Sequence, residues 1–188
     1  MDGQRAESIR EWDARTAGEG YEGLHRLSRE EFSGAVEGGS AWALMTNGRV
    51  VGVVDGDIES FESASLTAHA APDDALPLLF AMQERGGETR AKYYTEETPV
   101  SAADRTLSEG GFTGYLELSE NVLSGDYYVV YHGGRSSSVA FVGANERLVT
   151  GEEAFEAADD EVGIYRIVDV DVTVTEIPGA PDETTEEP

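Results

Sequence analysis

Two stretches of this chain repeat each other. Leu27-Ser28-Arg29-Glu30-Glu31-Phe32-Ser33-Gly34 returns as Leu107-Ser108-Glu109-Gly110-Gly111-Phe112-Thr113-Gly114, with leucine, serine, phenylalanine, a hydroxyl and glycine in register. A repeat of this kind marks one supersecondary unit used twice, so the chain is expected to build two related modules. After each block an apolar stretch runs into a Gly-Arg turn and a second apolar stretch. These are Ala41 to Met45, Asn47-Gly48-Arg49 and Val50 to Val54 in the first copy, and Tyr127 to Tyr131, Gly133-Gly134-Arg135 and Val139 to Val142 in the second. Asn-Gly and Gly-Gly between β-rich runs favour a type I′ turn, because both central residues need positive φ. Each copy therefore carries a β-hairpin.

Helical signals follow each hairpin. Leu76, Leu79, Phe80 and Gln83 fall at helical spacing after Pro72-Asp73-Asp74, and Gly86-Gly87 stops that helix. In the second copy Thr150 stands where a cap would, with Glu152 and Glu153 in the first turn of a helix reaching about Ala158. Each helix then leads to a last strand, Glu88 to Thr95 in the first copy and an alternating run from Gly163 to Thr175 in the second. The fold class is α+β: two tandem modules, each a small antiparallel sheet with a hairpin and a short helix. The expected divisions are an N-terminal helical or polar extension over 1–24, modules over 25–98 and 99–177, and an acidic disordered tail or linker over 178–188.

Charge sets the environment. The 188 residues carry 13 Lys+Arg against 38 Asp+Glu, a net of -25, and Lys92 is the sole lysine. A carboxylate-dense surface with lysine nearly eliminated suits molar salt, where repulsion is screened over only ~3 Å. The pattern points to the cytosol of a potassium-accumulating halophile, with an archaeon as the expected source. The same charge repels phosphate backbones, so no nucleic-acid partner is expected. No apolar run approaches the ~18 to 20 residues that cross a bilayer, so neither a membrane partner nor a membrane location is expected. With no cysteine there are no disulfides, thiolate metal sites or cysteine nucleophiles.

The second copy runs Phe112-Thr113-Gly114-Tyr115-Leu116, Tyr128-Val129-Val130-Tyr131, Gly134-Arg135, Val139-Ala140-Phe141, Thr150-Gly151-Glu152-Glu153-Ala154-Phe155 and Gly163-Ile164-Tyr165. In these segments and their order it resembles the PATAN-type domain, found beside response-regulator receiver domains and in gliding and signalling proteins. The first copy departs from it, lacking Gly-Glu-Glu-Ala and carrying a Ser/Ala-rich insert from Glu59 to Ala71. The resemblance implies a non-catalytic adaptor or regulatory role.

Signals for chemistry are sparse. His25, His69 and His132 lack metal-ligand spacing, and each is expected at a surface or turn. Asp55-Gly56-Asp57 begins like a calcium loop, but Ser60 stands where glycine is required and Leu66 where the final glutamate is required. Gly18-x-Gly20-x-x-Gly23 fits a dinucleotide fingerprint by letter, yet no strand is expected before it. Ser136-Ser137-Ser138 reads as a polar turn. No catalytic residue, cofactor or metal is therefore expected. Tyr127, Tyr128, Tyr131, Phe141 and Tyr165 alternate along strands, so some face the core and the remainder are free for contacts. The expected interface is Tyr127 and Tyr131 beside Arg135, with Arg49 at the matching turn, since aromatic and Arg anchors dominate interfaces. The partner is a protein, with a homodimer as one form. Two competing expectations are a self-assembling or cytoskeletal element, in which strand 164–175 pairs with another copy, and a hydrolase using Asp55 and Asp57.

Overall fold

The computed structural model describes residues 1–120 and 122–179; the expected tail over 178–188 lies, from residue 180, outside the described residues. The chain divides into two compact units, Met1–Glu84 rejoined by the stretch from Thr173, and Arg85–Val172.

The first unit runs α1 (Gly3–Arg10), β1 (Asp13–Glu19), α2 (Gly20–Arg29), β2 (Gly34–Gly38), β3 (Ala41–Thr46), β4 (Arg49–Val54), a 3-10 turn (Ile58–Phe61), β5 (Ser65–Ala70) and α3 (Ala75–Arg85). Its five strands are all antiparallel in the order β1-β5-β2-β3-β4. The second unit runs β6 (Glu88–Tyr94), α4 (Val100–Glu109), β7 (Gly114–Glu120), β8 (Gly125–His132), β9 (Arg135–Val142), β10 (Arg147–Thr150), α5 (Gly151–Asp160) and β11 (Ile164–Asp169). Its six-stranded antiparallel sheet has the order β10-β9-β8-β7-β11-β6. Read from the opposite edge, this is the first sheet's path with β10 added at one end. In both, a strand leads to a helix, then three meandering strands, and the last strand inserts between the first and second.

The α+β architecture of two antiparallel modules is thus present, but the strands are apportioned differently from expectation. The strand at 88–94 does not close the first sheet; it opens the second, paired with β11 at Tyr94↔Ile164 and Tyr93↔Tyr165. The first sheet is closed by β5, inside the Ser/Ala-rich stretch, where Leu66 and Ala68 enter the core. The boundary accordingly falls at Glu84/Arg85, not at 98/99, and residues 1–24 are no mere extension, since β1 belongs to the first sheet. The alternating run after Gly163 also stops short. β11 ends at Asp169, and Thr175 instead bridges Val50, its amide donating to the Val50 carbonyl at 2.8 Å.

Both hairpins turn where expected. Asn47 and Gly48 have φ of 50° and 81°, Gly133 and Gly134 of 59° and 87°, the left-handed pair a type I′ turn needs. The repeated octapeptide is the hinge from helix to first hairpin strand. The Phe32 amide donates to the Leu27 carbonyl at 3.1 Å and the Phe112 amide to the Leu107 carbonyl at 3.1 Å. Gly48 and Gly134 then donate to the Phe32 and Phe112 carbonyls at 2.8 and 2.9 Å. The repeated hydroxyls also act alike: Ser33 Oγ accepts from the Asn47 amide and Thr113 Oγ1 from the Gly133 amide, each at 2.9 Å. A Cβ at Gly34 would collide with the His69 carbonyl oxygen, and one at Gly114 with that of Val168, so glycine is required where the neighbouring strand crosses closest.

On one face of each sheet the helix after the first strand packs down. In the first unit Leu24 and Leu27 of α2 join Phe32, Val36, Ala43, Met45, Phe61, Leu66 and Ala68. In the second, Val100 and Ala103 of α4 and Ala154 and Ala158 of α5 cover Leu116, Leu118, Val129, Ala140 and Ile167. The other face of the first sheet carries α1 and α3, with Trp12 stacked on Phe80 at 5.8 Å and Ala81 of α3 above Gly52.

Candidate functional site

The pleat decides which tyrosines of the second unit meet solvent, since neighbours along a strand point to opposite faces. Tyr127, Tyr131 and Tyr165 point to the helix-covered face and are buried at 3%, 0% and 0% exposure. Their hydroxyls are all placed. Tyr131 donates to Asp104 Oδ1 at 2.7 Å, Tyr165 to the Thr98 carbonyl at 2.8 Å, and Tyr127 reaches Ser124 Oγ at 2.7 Å and Glu161 at 3.3 Å. Burial, reinforced by Asp104, holds the Tyr131 hydroxyl far above the usual phenol range, and burial pushes Tyr165 up to about 12. Tyr127 and Tyr131 therefore belong to the core and not to the expected interface. Of the four expected interface residues, only Arg49 and Arg135 are exposed, at the equivalent first positions of β4 and β9.

The other face carries a feature that appears twice. Glu37 on β2 lies opposite Trp42 on β3, and Glu117 on β7 lies opposite Tyr128 on β8. The two glutamates stand three residues after the repeated Gly34 and Gly114, so continuing the repeat's register would have found them. Their partners differ. Glu117 is gripped by Arg166 at 2.6 and 2.7 Å and also accepts from Ser119 Oγ at 3.2 Å and Tyr128 at 3.4 Å. Burial opposes the Arg166 charge, but the bond to Glu117 and its negative charge more than offset this, and the guanidinium is held above its usual range. Glu37 has looser company, His69 Nε2 at 3.4 Å and Arg10 at 3.7 Å.

A third feature occurs in the second unit alone. At the outer end of β6, Tyr94 lies directly opposite Ile164 of β11, and both are exposed, 40% and 36%. Val162, in the segment that enters β11, and Leu123, between β7 and β8, are still more exposed. In the first unit the corresponding pair is Glu19 opposite Ser65. The fold thus forms without an apolar pair at this position, and the second unit has one at the surface. No signal in the sequence marks it, since Tyr94 and Ile164 are far apart in the chain.

A scan of family models and searches of curated proteins and solved structures found no match to this chain.

The remaining sequence signals resolve into local structure. Asp57 caps the 3-10 turn, accepting from the Ser60 amide at 3.2 Å while the Asp57 amide donates to Ser60 Oγ at 3.1 Å. A strand, β1, does precede Gly18-x-Gly20-x-x-Gly23, contrary to expectation. It is polar because it is an edge strand with only Ala17 buried. The sheet is antiparallel, and a Cβ at Gly20 or Gly23 would press on the carbonyls of Glu62 and Ala17, so these glycines serve packing between turn and helix. Ser136, Ser137 and Ser138 lie in β9, not in a turn. His69 is buried at 5% exposure rather than on the surface, and His25 Nε2 lies 2.9 Å from the Pro178 carbonyl. Finally, β11 is flanked by β7 and β6, so both of its edges are occupied and it cannot be the strand that pairs with another copy. Among the described residues no helix is long and apolar enough to cross a membrane.

Proposed function

We propose that the chain is a non-catalytic interaction module, a regulatory adaptor or scaffold of a halophile's cytosol, as its resemblance to PATAN-type domains implies. The observation that supports this best is the Tyr94–Ile164 pair. Two units share one chain path, and only the second exposes an aromatic and an aliphatic side chain where the first has Glu19 and Ser65. An exposed apolar surface on a chain of net charge -25 is kept against the general trend of its composition, and aromatic anchors are what protein interfaces spend on affinity. Edge-to-edge assembly through β6 has less support. A register shift interrupts β6 between Ala91 and Thr89, and Lys92 projects from it, both devices that blunt a free edge.

The test is a photoreactive amino acid placed at position 94 or at position 19 of the full chain, irradiated in the cytosol of a halophile in molar KCl. A protein identified by mass spectrometry as crosslinked from position 94 and not from 19, whose affinity falls at least about tenfold with Tyr94→Ser, supports the proposal. Equal labelling from both positions, or an affinity unchanged by Tyr94→Ser, overturns it.

A further inference from the structure

The position occupied by His69 is filled in the second unit by Val168. The equivalence is geometric, since the His69 and Val168 carbonyls are the ones that crowd Gly34 and Gly114. Val168 is buried at 2% exposure, so the fold asks here for a small apolar side chain. The first unit instead buries an imidazole. Its Nδ1 has no hydrogen-bond partner among the described residues, and its Nε2 is 3.4 Å from Glu37 Oε1. A buried polar atom without a partner is costly and calls for an explanation.

The surroundings supply one. Glu37 is shared between His69 and Arg10, and Arg10 comes from α1, with its guanidinium carbon 5.3 Å from the centre of the Trp42 ring. Trp42 in turn lies 5.6 Å from the His69 ring. Helix α1 is thus held on this face of the first sheet through Arg10 at its last turn, by buried Ile9, and by Arg5, which pairs with Glu84 of α3 at 2.7 Å. The charged groups that face His69 from the elements around it are Glu37 of β2 and Arg10 of α1. Asp13 and Arg15 of β1 flank Ala14, which pairs with His69, and so point to the other face, where Arg15 is held by Glu30 at 2.8 Å. In the second unit the equivalent carboxylate, Glu117, is committed to Arg166 on a neighbouring strand of the same sheet, and the position of His69 is taken by Val168.

From this contrast we infer that His69 is a protonation-controlled clasp for α1. While the ring is neutral, Glu37 is available to Arg10. Protonation places a positive charge beside Glu37 and near Arg10, so the imidazolium competes for the carboxylate and repels the guanidinium, and the new Nδ1–H is buried without an acceptor. The longest of these ion pairs, Arg10–Glu37 at 3.7 Å, is the one that gives way, and the end of α1 loosens from Trp42.

The experiment uses the full chain with Trp12→Phe, leaving Trp42 as the only tryptophan, at constant molar KCl from about pH 8 to about pH 5. Trp42 emission is expected to change with acidification, and amide exchange over residues 3–10, corrected for the intrinsic pH dependence of exchange, to accelerate by about tenfold or more while that of β7 and β8 does not. His69→Val, the residue the second unit uses, is expected to abolish both responses, and His25→Gln or His132→Gln to leave them intact. If His69→Val fails to fold, the His69 ring resonance followed by NMR replaces it and must titrate together with the α1 exchange. Responses that persist in His69→Val, that follow another histidine, or that are absent from the unsubstituted His69 chain overturn the inference.

Discussion

The two units solve one topological problem with different materials. In both, a strand, a helix and a three-stranded meander precede a last strand that inserts beside the first, and the same hinge joins helix to meander with matching hydrogen bonds. The first unit fills its helix-covered face with aliphatic residues and two phenylalanines, Phe32 and Phe61. The second uses Tyr127, Tyr131 and Tyr165, and must then satisfy three buried hydroxyls through Glu161, Asp104 and the Thr98 carbonyl. On the opposite face the contrast reverses. The second unit pairs its carboxylate tightly with Arg166, whereas the first leaves Glu37 loosely shared. Parts that are equal in both units belong to the fold. Parts that differ, Tyr94 with Ile164 and His69 with Glu37, are where each unit is free to take on a task.

The comparison is broken most directly at the repeated glycine. Gly34→Ala and Gly114→Ala each force a Cβ into the carbonyl of the neighbouring strand, and each is expected to cost about 4 kcal/mol or more in chemical unfolding. A small loss at one site and a large one at the other would show that the two hinges are not equivalent. The phenylalanine two residues earlier sharpens the contrast. Phe32 is buried at 8% exposure, so Phe32→Ala is expected to cost about 3 to 5 kcal/mol. Phe112 is only half-buried, edge-on to Tyr131 at 5.6 Å, and Phe112→Ala should cost less, about 2 kcal/mol.

A smaller difference is expected at the paired glutamates. Glu117→Gln weakens its hold on Arg166 and should cost about 1 to 2 kcal/mol, against under about 1 kcal/mol for Glu37→Gln, whose contacts are longer. Thermal unfolding at fixed salt measures both, and equal losses would remove the distinction between a committed and a shared carboxylate. The last effect is absent at neutral pH. Burial raises the Tyr131 and Tyr165 hydroxyls above their ordinary value, Tyr165 to about 12. The stability this reflects is present in full below about pH 10 and is lost as pH rises through the folded-state values, because the unfolded chain ionises first. Amide exchange in mildly alkaline to strongly alkaline buffers, corrected for intrinsic rates, should show β8 and β11 losing protection before β2 and β3. The reverse order would mean that the buried tyrosines do not govern the second unit's stability.

Local chemistry made part of this legible in advance. Both hairpins, α3, α5 and the paired Phe and Gly positions follow from turn residues, helical spacing and the internal repeat, all of which act over a few bonds. The candidate site was less so. Arg49 and Arg135 at the hairpins are exposed, but Tyr127 and Tyr131 turned inward, because a one-residue change of pleat phase moves a side chain to the other face and a run such as Tyr127-Tyr128-Val129-Val130-Tyr131 is apolar in either phase.

What the sequence determined by itself is therefore the kind of module and its duplication: two antiparallel meanders, each entered through Leu27-to-Gly34 or Leu107-to-Gly114 and turned at Gly48 or Gly134. Only the tertiary structure decided which strand completes which sheet. β1 and β6 are edge strands with one buried residue between them, Ala17, so they carry almost no hydrophobic alternation, and their partners β5 and β11 lie about fifty and seventy residues away. Backbone hydrogen bonds across such distances are made by any residue type except proline. The ladder that places Tyr94 against Ile164, and the crossing that sets His69 beside Glu37, are written in the folded chain's geometry and not in the identity of neighbouring residues.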